Sequence, residues 1–537
     1  MTPVRLFRRS YRSITRGLKR LNDTTGFCMT STQSIPETDS RIPAQFYALP
    51  VILAALAAAF YGQFWLSHDD SWYLIATRKF LEGAQIYVDI IEINPPLNFY
   101  LTVPVLWLAD VTGLTDTAAY AVHTCILSAF CGLWLVRILR ASALSLVEQK
   151  IVLFSALTCL LLLPISEWAQ REHLLFVYAM PYFVHEIIGR DRIRIRAWES
   201  FLIGVVATFG IALKPYFLLI PAAIVLVGPF KDLLRRGFAP ANLGLAFGLI
   251  AYALFTFLVH PGFFSDILTV AQKIYGAIGY DAATILIRGE MFGVFIFLAL
   301  FFLGGTPKDP VSWRFAAAVL ATTVSYLVQF KGWNYHLIPL LAFLFMGALW
   351  LAHSKGVFRS NSLVPKAVVI ALVLITVGAQ TIAGPYRPRT LDMLSPFVEE
   401  KGEPMVVYST NLSMAFPFVN AVEGTWASRY PAQWIAPGAV IETRSARCPE
   451  DREYCAPFEK ILEDARNANT EDFLRYQPRL VVFDVREDKS YFHGADFDFL
   501  AFQLEDPRFA AVWANYAKVG QVDEALDVWR LKEGETQ

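Results

Sequence analysis

The chain has 537 residues, of which 55% are hydrophobic and only 18% are charged, and its formal net charge is zero. Together with a mean hydropathy of +0.42, this composition excludes a soluble protein of this length and predicts a polytopic membrane protein. The charge is sorted along the chain. The first 20 residues hold seven Lys or Arg and no acid, whereas residues 385–537 hold more acids than bases.

The basic N-terminus, residues 1–45, has three interpretations. It is a cytosolic tail that follows the positive-inside rule, an Arg- and Ser-rich organellar transit peptide, or a stretch created by a start codon placed too early, with Met29 rather than Met1 as the true start. We take the cytosolic tail as the working interpretation. No cleavable signal peptide is expected, because the first apolar run begins near Phe46 and is long enough to span a membrane.

Eleven apolar windows are long enough to cross a hydrocarbon core of about 30 Å. They are 46–66, 118–139, 150–166, 173–189, 198–213, 215–230, 242–259, 290–304, 312–329, 335–352 and 365–383. A further run, 95–109, is short and contains Pro104, so we expect an interfacial or re-entrant helix there. Eleven spans place every loop rich in Lys and Arg on the cytosolic side, as the positive-inside rule requires. The sequence therefore predicts a transmembrane domain over 46–384, with the N-terminus inside the cell and residues 385–537 outside.

Residues 385–537 alternate strand-like segments, such as PMVVYST and PRLVVFDV, with polar helical segments such as FEKILEDARNANTEDFLRY. The predicted fold class is thus an α-helical polytopic membrane protein of about 11 transmembrane helices with a C-terminal soluble α/β domain. Cys448 and Cys455 bracket a polar loop in this domain. Their spacing predicts a disulfide if the domain lies in an oxidising compartment such as the periplasm.

The first exoplasmic loop, residues 67–117, opens with HDDSWY. Asp69 and Asp70 directly follow a predicted span, where ionisable groups are functional candidates; the alternatives are a solvated flank or an N-cap of the next helix. The segment SWYLIATRKFLEG predicts a short amphipathic helix on the membrane surface that ends at Gly83. The loop then bends back to the membrane at Asn94-Pro95-Pro96-Leu97.

Other ionisable groups on the outer side have both a functional and a structural interpretation. The turn SEWAQREH is either a salt-bridged anchor of two helix ends or part of a binding site, in which Arg171 would bind phosphate through its guanidinium. Lys214 either snorkels to the interface or binds a ligand. In QFKGWNYH, Trp333 and Tyr335 are expected to be interfacial aromatics. The residues of these segments with a candidate binding role are Arg171, Glu172, His173, Lys214, Lys331 and His336.

The arrangement resembles the GT-C superfamily of membrane glycosyltransferases, in particular its branch of protein O-mannosyltransferases and lipid A aminoarabinose transferases. Those proteins have a pattern close to D-[DE]-x-x-Y after the first span and a K-P-P-L segment that starts an interfacial helix. This chain has Asp69-Asp70-Ser71-Trp72-Tyr73 and Asn94-Pro95-Pro96-Leu97. The lysine that helps to hold the lipid phosphate in that family is Asn94 here, so phosphate binding must be shared differently or the donor differs.

The resemblance implies that Asp69 is the catalytic base. Asp70 would support it, bind a sugar hydroxyl or help to coordinate a divalent cation, for which hard oxygen ligands are suitable; no other cofactor is implied. The cations that we expect at the donor phosphate are Arg78, Arg171, Lys214 and Lys331. The residues that we expect at the acceptor or the sugar are Tyr73, Glu92, Asn94, Glu172, His173 and His336.

The predicted function is an inverting glycosyltransferase of the cell inner membrane. It would move a sugar from a polyprenyl-phosphate donor to a lipid-linked saccharide, a glycolipid or a protein on the outer face, with the lipid bilayer but no nucleic acid as a partner. One alternative is a transporter or flippase, although transporters usually place their charges near mid-membrane between repeated halves. A surface-polysaccharide polymerase or ligase is the other alternative.

Overall fold

The computed structural model describes residues 41–532. Residues 1–40 and 533–537 lie outside the described part, so the cytosolic tail and the choice between Met1 and Met29 stay predictions. From Ala44 onward the chain is helical, and each of the eleven windows predicted to span the membrane contains a helix.

The helices before residue 385 are numbered along the chain. They are α1 (Ala48–Tyr61), α2 (His68–Leu81), α3 (Leu97–Thr112), α4 (Asp116–Arg140), α5 (Leu146–Leu161), α6 (Arg171–Ile188), α7 (Ala197–Ile211), α8 (Leu219–Leu226), α9 (Leu233–Gly237), α10 (Pro240–Val259), α11 (Leu268–Ile274), α12 (Ala282–Leu286), α13 (Gly289–Phe302), α14 (Pro310–Gln329), α15 (Ile338–Ser354), α16 (Leu363–Val373) and α17 (Ala379–Ala383). Turns of 3-10 or π-helix lengthen several of them. The protein is therefore mostly helical in this part.

Seven helical segments of the described chain are long and apolar enough to cross a membrane. They are Ala44–Tyr61, Asp116–Arg140, Pro240–Val259, Ala282–Phe302, Pro310–Gln329, Asn334–Ser354 and Leu363–Ala383. Pro215–Leu226 and Phe230–Gly237, bent by 118°, make an eighth if they count as one span. The expected number of eleven spans is not confirmed. Helices α5 and α7 have 16 and 15 residues, so they rise only about 24 and 22 Å.

The first exoplasmic loop forms two helices. In α2, Asp69 and Asp70 lie in the first turn, and the N-cap position belongs to Ser67. Acidic side chains are favourable there because the helix N-terminus carries partial positive charge. The interfacial helix predicted near 95–109 is α3, which contains Pro104 and ends at Gly113 in the left-handed conformation. Seven of the 14 residues of α2 are buried against other parts of the protein, and the position of α2 on the membrane surface stays a prediction.

The C-terminal part is a small α/β domain, as the sequence predicts. Its helices are α18 (Leu391–Leu394), α19 (Phe418–Ala421), α20 (Ile435–Thr443), α21 (Arg452–Tyr476), α22 (Phe499–Leu504) and α23 (Pro507–Trp513). Its strands are β1 (Pro404–Tyr408), β2 (Thr425–Trp426), β3 (Leu480–Asp484), β4 (Tyr516–Val522) and β5 (Leu526–Leu531). The two strand-like segments named from the sequence are β1 and β3, and the predicted polar helix is part of α21.

The five strands form one mixed sheet in the order β2-β1-β3-β5-β4. β1 pairs in parallel with β2 and with β3, whereas β5 is antiparallel to both β3 and β4. β1 and β3 are almost wholly buried, which explains why they read as continuous apolar runs rather than as alternating ones. Close to this sheet, the sulfur atoms of Cys448 and Cys455 are bonded, with Cα atoms 5.0 Å apart.

The C-terminal domain packs directly on helix α2. The rings of Trp72 and Phe416 are 5.6 Å apart, and Asn420 Nδ2 donates to the Ser71 carbonyl at 2.9 Å. Lys79 Nζ donates to the backbone oxygen of Ser428 at 3.0 Å. One hydrophobic core therefore joins the first exoplasmic loop to the sheet, and this junction determines where the cavity described next lies.

Candidate active site

The loops at one end of the membrane helices and the C-terminal domain together enclose a cavity of about 980 Å³. Ligand pockets usually measure roughly 300–1,000 Å³. We call the wall formed by segments 68–73, 92–94 and 167–171 the floor. We call the wall formed by loops 410–413, 431–434 and 488–494 the roof. Segments 275–288 and 332–335 lie between the two.

Asp69 and Arg171 form an ion pair in the floor. Arg171 Nη2 donates to Asp69 Oδ2 at 2.9 Å, and both side chains are largely buried. Burial opposes ionisation of Asp69. The charges of Arg171, His68 and Lys214 outweigh that effect and hold the pKa of Asp69 below its usual value. The carboxylate is therefore ionised at neutral pH and lies at the wall of the cavity.

Asp70 does not line the cavity. Its Oδ2 accepts a hydrogen bond from Ser67 Oγ at 2.9 Å, and Ser67 Oγ accepts one from Gln170 Nε2 at 2.5 Å. Burial, reinforced by the charge of Asp69, raises the pKa of Asp70 well above its usual value. Asp70 thus holds the start of α2 through Ser67, and this placement outside the cavity does not match the expected catalytic role.

Arg171 keeps unused hydrogen-bonding capacity. Its guanidinium is buried, 5.7 Å from the centre of the Tyr73 ring. Within residues 41–532, no atom accepts a hydrogen bond from its Nε or Nη1. Buried donors are normally paired, and a guanidinium binds oxyanions through two parallel hydrogen bonds. Of the four cations predicted to bind phosphate, Arg171 is the one in the cavity wall.

Two of the other predicted phosphate ligands, Arg78 and Lys331, do not line the cavity and donate to other protein groups. Arg78 Nη2 donates to Asp116 Oδ1 at 2.5 Å and to Asp110 Oδ1 at 3.0 Å. Lys331 Nζ donates to the carbonyl oxygens of Tyr275, at 2.6 Å, and Ile278. Arg78 therefore links α2 to α4. Lys331 stabilises the segment that follows α11.

Behind the floor, three more of the predicted binding residues form a buried cluster. Lys214 Nζ donates to Glu172 Oε1 at 2.5 Å and lies 3.1 Å from His336 Nε2. All three side chains are almost completely inaccessible and do not line the cavity. Burial lowers the pKa of Lys214 to about 8, with the neighbouring carboxylate of Glu172 acting in the opposite sense. The cluster therefore supports the first turn of α6, which carries Arg171.

His173 is a structural residue of the same turn. Its Nδ1 accepts a hydrogen bond from the Ala169 N–H at 3.0 Å, and its Nε2 lies 2.8 Å from the Leu160 carbonyl oxygen. The imidazole is buried and has both nitrogens paired with backbone groups. The structure therefore places His173 away from any acceptor or sugar.

Glu92 and Asn94 line the cavity but bind each other. Glu92 Oε1 accepts from Asn94 Nδ2 at 2.6 Å, and Glu92 Oε2 accepts from Trp72 Nε1 at 2.9 Å. Asn94 thus stabilises the bend before α3. Tyr73 also lines the cavity, and its buried hydroxyl has no hydrogen-bond partner in the described part of the chain. Of the predicted acceptor ligands that line the cavity, Tyr73 is the one whose buried polar atom has no partner within residues 41–532.

Glu167 is a floor residue that the sequence analysis did not select. It lines the cavity, and burial, followed by repulsion from Asp69 and Glu172, raises its pKa to about 8. The turn SEWAQREH already contained this signal, because it concentrates charge on the outer side. No pattern in the sequence indicated the aromatic roof residues Trp434 and Tyr491, because only tertiary contacts bring them to the cavity.

The described residues show one group of three possible metal ligands, Cys448, Cys455 and Glu459. Its two sulfur atoms are joined in the disulfide, so they are not available as thiolate ligands. The divalent cation suggested from the sequence at Asp70 stays a prediction.

No family model and no curated protein matches the chain. The structure is similar to the cryo-EM structure of the arabinofuranosyltransferase AftD from mycobacteria, with a TM-score of 0.44 and 13% sequence identity. The match covers 93% of this chain and 40% of that one, so this chain spans less than half of its length. At this level of similarity, the activity has to be inferred from the cavity itself.

Proposed function

We propose that the protein is a multi-pass membrane glycosyltransferase. It transfers a sugar from a polyprenyl-phosphate donor to a hydroxyl of a lipid-linked saccharide, a glycolipid or a protein, with inversion at the anomeric carbon. The observation that carries the proposal is the ion pair of Asp69 and Arg171 in the floor of a cavity at the ends of the membrane helices. It combines an ionised carboxylate with a guanidinium that has two unused donors.

The two residues suit the two halves of the reaction. Asp69 accepts the proton of the acceptor hydroxyl while that oxygen forms its bond to the anomeric carbon. The bond between the anomeric carbon and the phosphate oxygen breaks, and the electron pair leaves with the lipid phosphate. Arg171 stabilises the negative charge that develops on this phosphate through one of its unused donors, Nε or Nη1, while its Nη2 keeps Asp69 in place.

The orientation in the membrane is also a proposal. Loops rich in Lys and Arg would face the cytosol, and the cavity and the C-terminal domain would face outward. The bonded pair of Cys448 and Cys455 supports an oxidising compartment on the side of the C-terminal domain, such as the periplasm of a cell with an inner membrane. A lipid-linked donor would then reach the cavity from the outer leaflet.

The proposal is tested by Asp69→Asn, with Asp70→Asn as the matched control. Cell-surface glycans and glycolipids are compared by mass spectrometry in cells that lack the protein and in cells that express each variant. We expect Asp69→Asn to lose the glycan that depends on the wild-type protein, and Asp70→Asn to retain it, because Asp70 lies outside the cavity wall. Normal glycosylation by an inserted Asp69→Asn protein would refute the proposed base.

A further inference from the structure

The roof of the cavity lies at the carboxyl ends of three adjacent parallel strands. The loop after β1 supplies residues 410–413, the loop after β2 supplies 431–434, and the loop after β3 supplies 488–494. The chain passes from β1 to β2 on one side and then crosses to β3 on the other. Open α/β sheets bind ligands at such a switch point, in the crevice beyond the carboxyl ends of the strands.

Hydrogen bonds between the loops hold this crevice in shape. Ser409 Oγ donates to Asp484 Oδ2 at 2.9 Å, which ties β1 to β3. Thr410 Oγ1 donates to the Ser490 carbonyl at 2.9 Å, and the Gln433 N–H donates to the Ser409 carbonyl at 2.8 Å. All three loops are thus connected before a ligand arrives, which lowers the entropy cost of binding.

Aromatic rings line the crevice on both sides. The Trp434 and Tyr275 rings are 6.2 Å apart, and Trp333 Nε1 donates to the Tyr491 hydroxyl at 3.2 Å. Trp434 Nε1 is buried, and in the described part of the chain nothing accepts its hydrogen bond. Buried indole N–H groups usually have a partner. This unused donor in a cavity wall therefore indicates a ligand that brings its own acceptor.

The remaining polar groups of the roof indicate the class of that ligand. Lys489 Nζ donates to the Arg486 carbonyl at 2.6 Å, and the Arg486 guanidinium forms a two-point ion pair with Asp484. The charges of Arg486 and Asp484 are thus already satisfied, and the exposed carboxylate of Asp488 in the roof would repel an anion. Hydroxyl and amide groups, including those of Thr410 and Asn411, stand beside the aromatic rings. Such a surface suits a neutral polyol, whose C–H faces stack on rings and whose hydroxyls form hydrogen bonds.

We infer that the roof is a binding subsite for a neutral saccharide, which would be the part of the acceptor beyond the reacting hydroxyl. The identification of this saccharide as part of the acceptor rests on the proposed function. Binding of a saccharide in the roof does not itself depend on catalysis. The subsite is close to the floor, because Tyr491 and Asp69 line the same cavity. A saccharide held in the roof can therefore present a terminal hydroxyl to Asp69.

The test is isothermal titration calorimetry on the full chain in lipid nanodiscs. The probes are neutral linear tetrasaccharides of glucose, mannose, arabinose and N-acetylglucosamine. We expect saturable binding of at least one probe and about fivefold weaker binding by Trp434→Phe, which keeps the ring and removes the unused donor. Trp529→Phe is the matched control, because the Trp529 indole N–H is also buried without a partner in residues 41–532 but lies on β5, outside the cavity wall.

A second variant guards against a folding defect in Trp434→Phe. Tyr491→Phe keeps the ring and removes the hydroxyl that accepts from Trp333, so it should also weaken the same probe, by about threefold. Thermal unfolding of each variant in the same nanodiscs reports its folding. Binding of none of the probes, or equal binding by wild type, Trp434→Phe and Tyr491→Phe, would overturn the inference.

The same titration on Asp69→Asn separates this inference from the proposed function. We expect Asp69→Asn to bind the probe as tightly as wild type although it no longer transfers sugar. If Asp69→Asn still transfers sugar, the proposed base is wrong, and the roof is judged by the binding data alone. If instead Asp69→Asn abolishes binding of the probe, the saccharide sits in the floor and the assignment of the roof is wrong.

Discussion

The floor and the roof of the cavity are built from opposite kinds of chemistry. The floor holds an ionised carboxylate, Asp69, and a buried guanidinium, Arg171, with two unused donors. The roof exposes rings, hydroxyls, amides and the carboxylate of Asp488, and the charges of Arg486 and Asp484 next to it are paired with each other. Burying a charge is costly, and the floor holds buried charges at the position where the proposed reaction needs them. The roof is suited to recognising a substrate.

Within the floor, neighbouring carboxyl groups also differ from one another. The pKa of Asp69 is lowered by nearby cations, whereas burial, followed by repulsion from Asp69, raises the pKa values of Asp70 and Glu167. At neutral pH this group therefore carries fewer than three negative charges, because Glu167 is protonated. Such divergence between adjacent acids is typical of sites with separate roles for each carboxyl group.

The largest effect that would test this contrast is expected from Arg171→Lys. A lysine keeps the charge but not the planar set of donors, so we expect kcat for sugar transfer to fall about 10²- to 10³-fold, as for loss of a donor that stabilises developing charge. Arg486→Lys, next to the roof segment 488–494, is the matched control and should leave kcat within about threefold. The measurement is the initial rate of transfer in membranes that contain equal amounts of each protein.

Equal losses of kcat in Arg171→Lys and Arg486→Lys would break the division between floor and roof. A rise in the acceptor KM for Arg486→Lys, with kcat retained, would instead agree with a roof that recognises the acceptor.

A second prediction concerns the support behind the floor. Glu172→Gln leaves the buried ammonium of Lys214 without its carboxylate partner, and breaking a buried ion pair typically costs about 3–5 kcal/mol of stability. We expect a clearly lower thermal unfolding midpoint in detergent. The double variant Glu172→Gln/Lys214→Met should recover most of the loss. Lys401→Met is the control, because the pair of Lys401 and Glu423 is largely exposed and such pairs contribute about 0–1 kcal/mol.

If Glu172→Gln is as stable as Lys401→Met, the buried cluster does not support α6. If the double variant unfolds at the same temperature as the single one, these side chains stabilise the protein through packing rather than through charge.

The smallest effect is a dependence on pH. Glu167 has a pKa of about 8, so it is neutral below that pH and negative above it. Because a second negative charge beside Asp69 would repel an anionic phosphate, we expect the donor KM to rise severalfold between pH 7 and pH 9 in wild type. Glu167→Gln cannot ionise and should show a flat profile. If the donor KM of Glu167→Gln rises in the same way at alkaline pH, the pH dependence belongs to another group, such as Lys214.

Much of the fold was predictable from the sequence. The apolar windows located every long helix of the membrane part, because burial in lipid requires continuous apolar stretches. The strands β1 and β3 and the helix α21 were predictable from their apolar runs and polar periodicity. The number of spans was not predictable from the sequence. Some of the apolar windows contain helices, such as α5 and α7, that are too short by themselves to cross the hydrocarbon core.

The candidate site was predictable in part. The sequence placed Asp69 and Arg171 on the same side of the membrane, because the distribution of Lys and Arg among the loops sorts the chain into two faces. It could not separate Asp69 from Asp70, which are adjacent and identical in type. Their opposite surroundings arise from residues about 100 positions away: Arg171 contacts Asp69 directly, and Gln170 donates to Ser67, which donates to Asp70.

The sequence by itself determined that this protein is an apolar, helical membrane protein with an α/β domain at its C-terminal end, since these features follow from local composition and periodicity. Only the tertiary structure decided which charges remain available for chemistry. Whether Arg78, Lys214 and Lys331 are free depends on the acceptors that packing brings within about 3 Å of them. The same packing laid the carboxyl ends of β1, β2 and β3 over Asp69, which no pattern in the chain encodes.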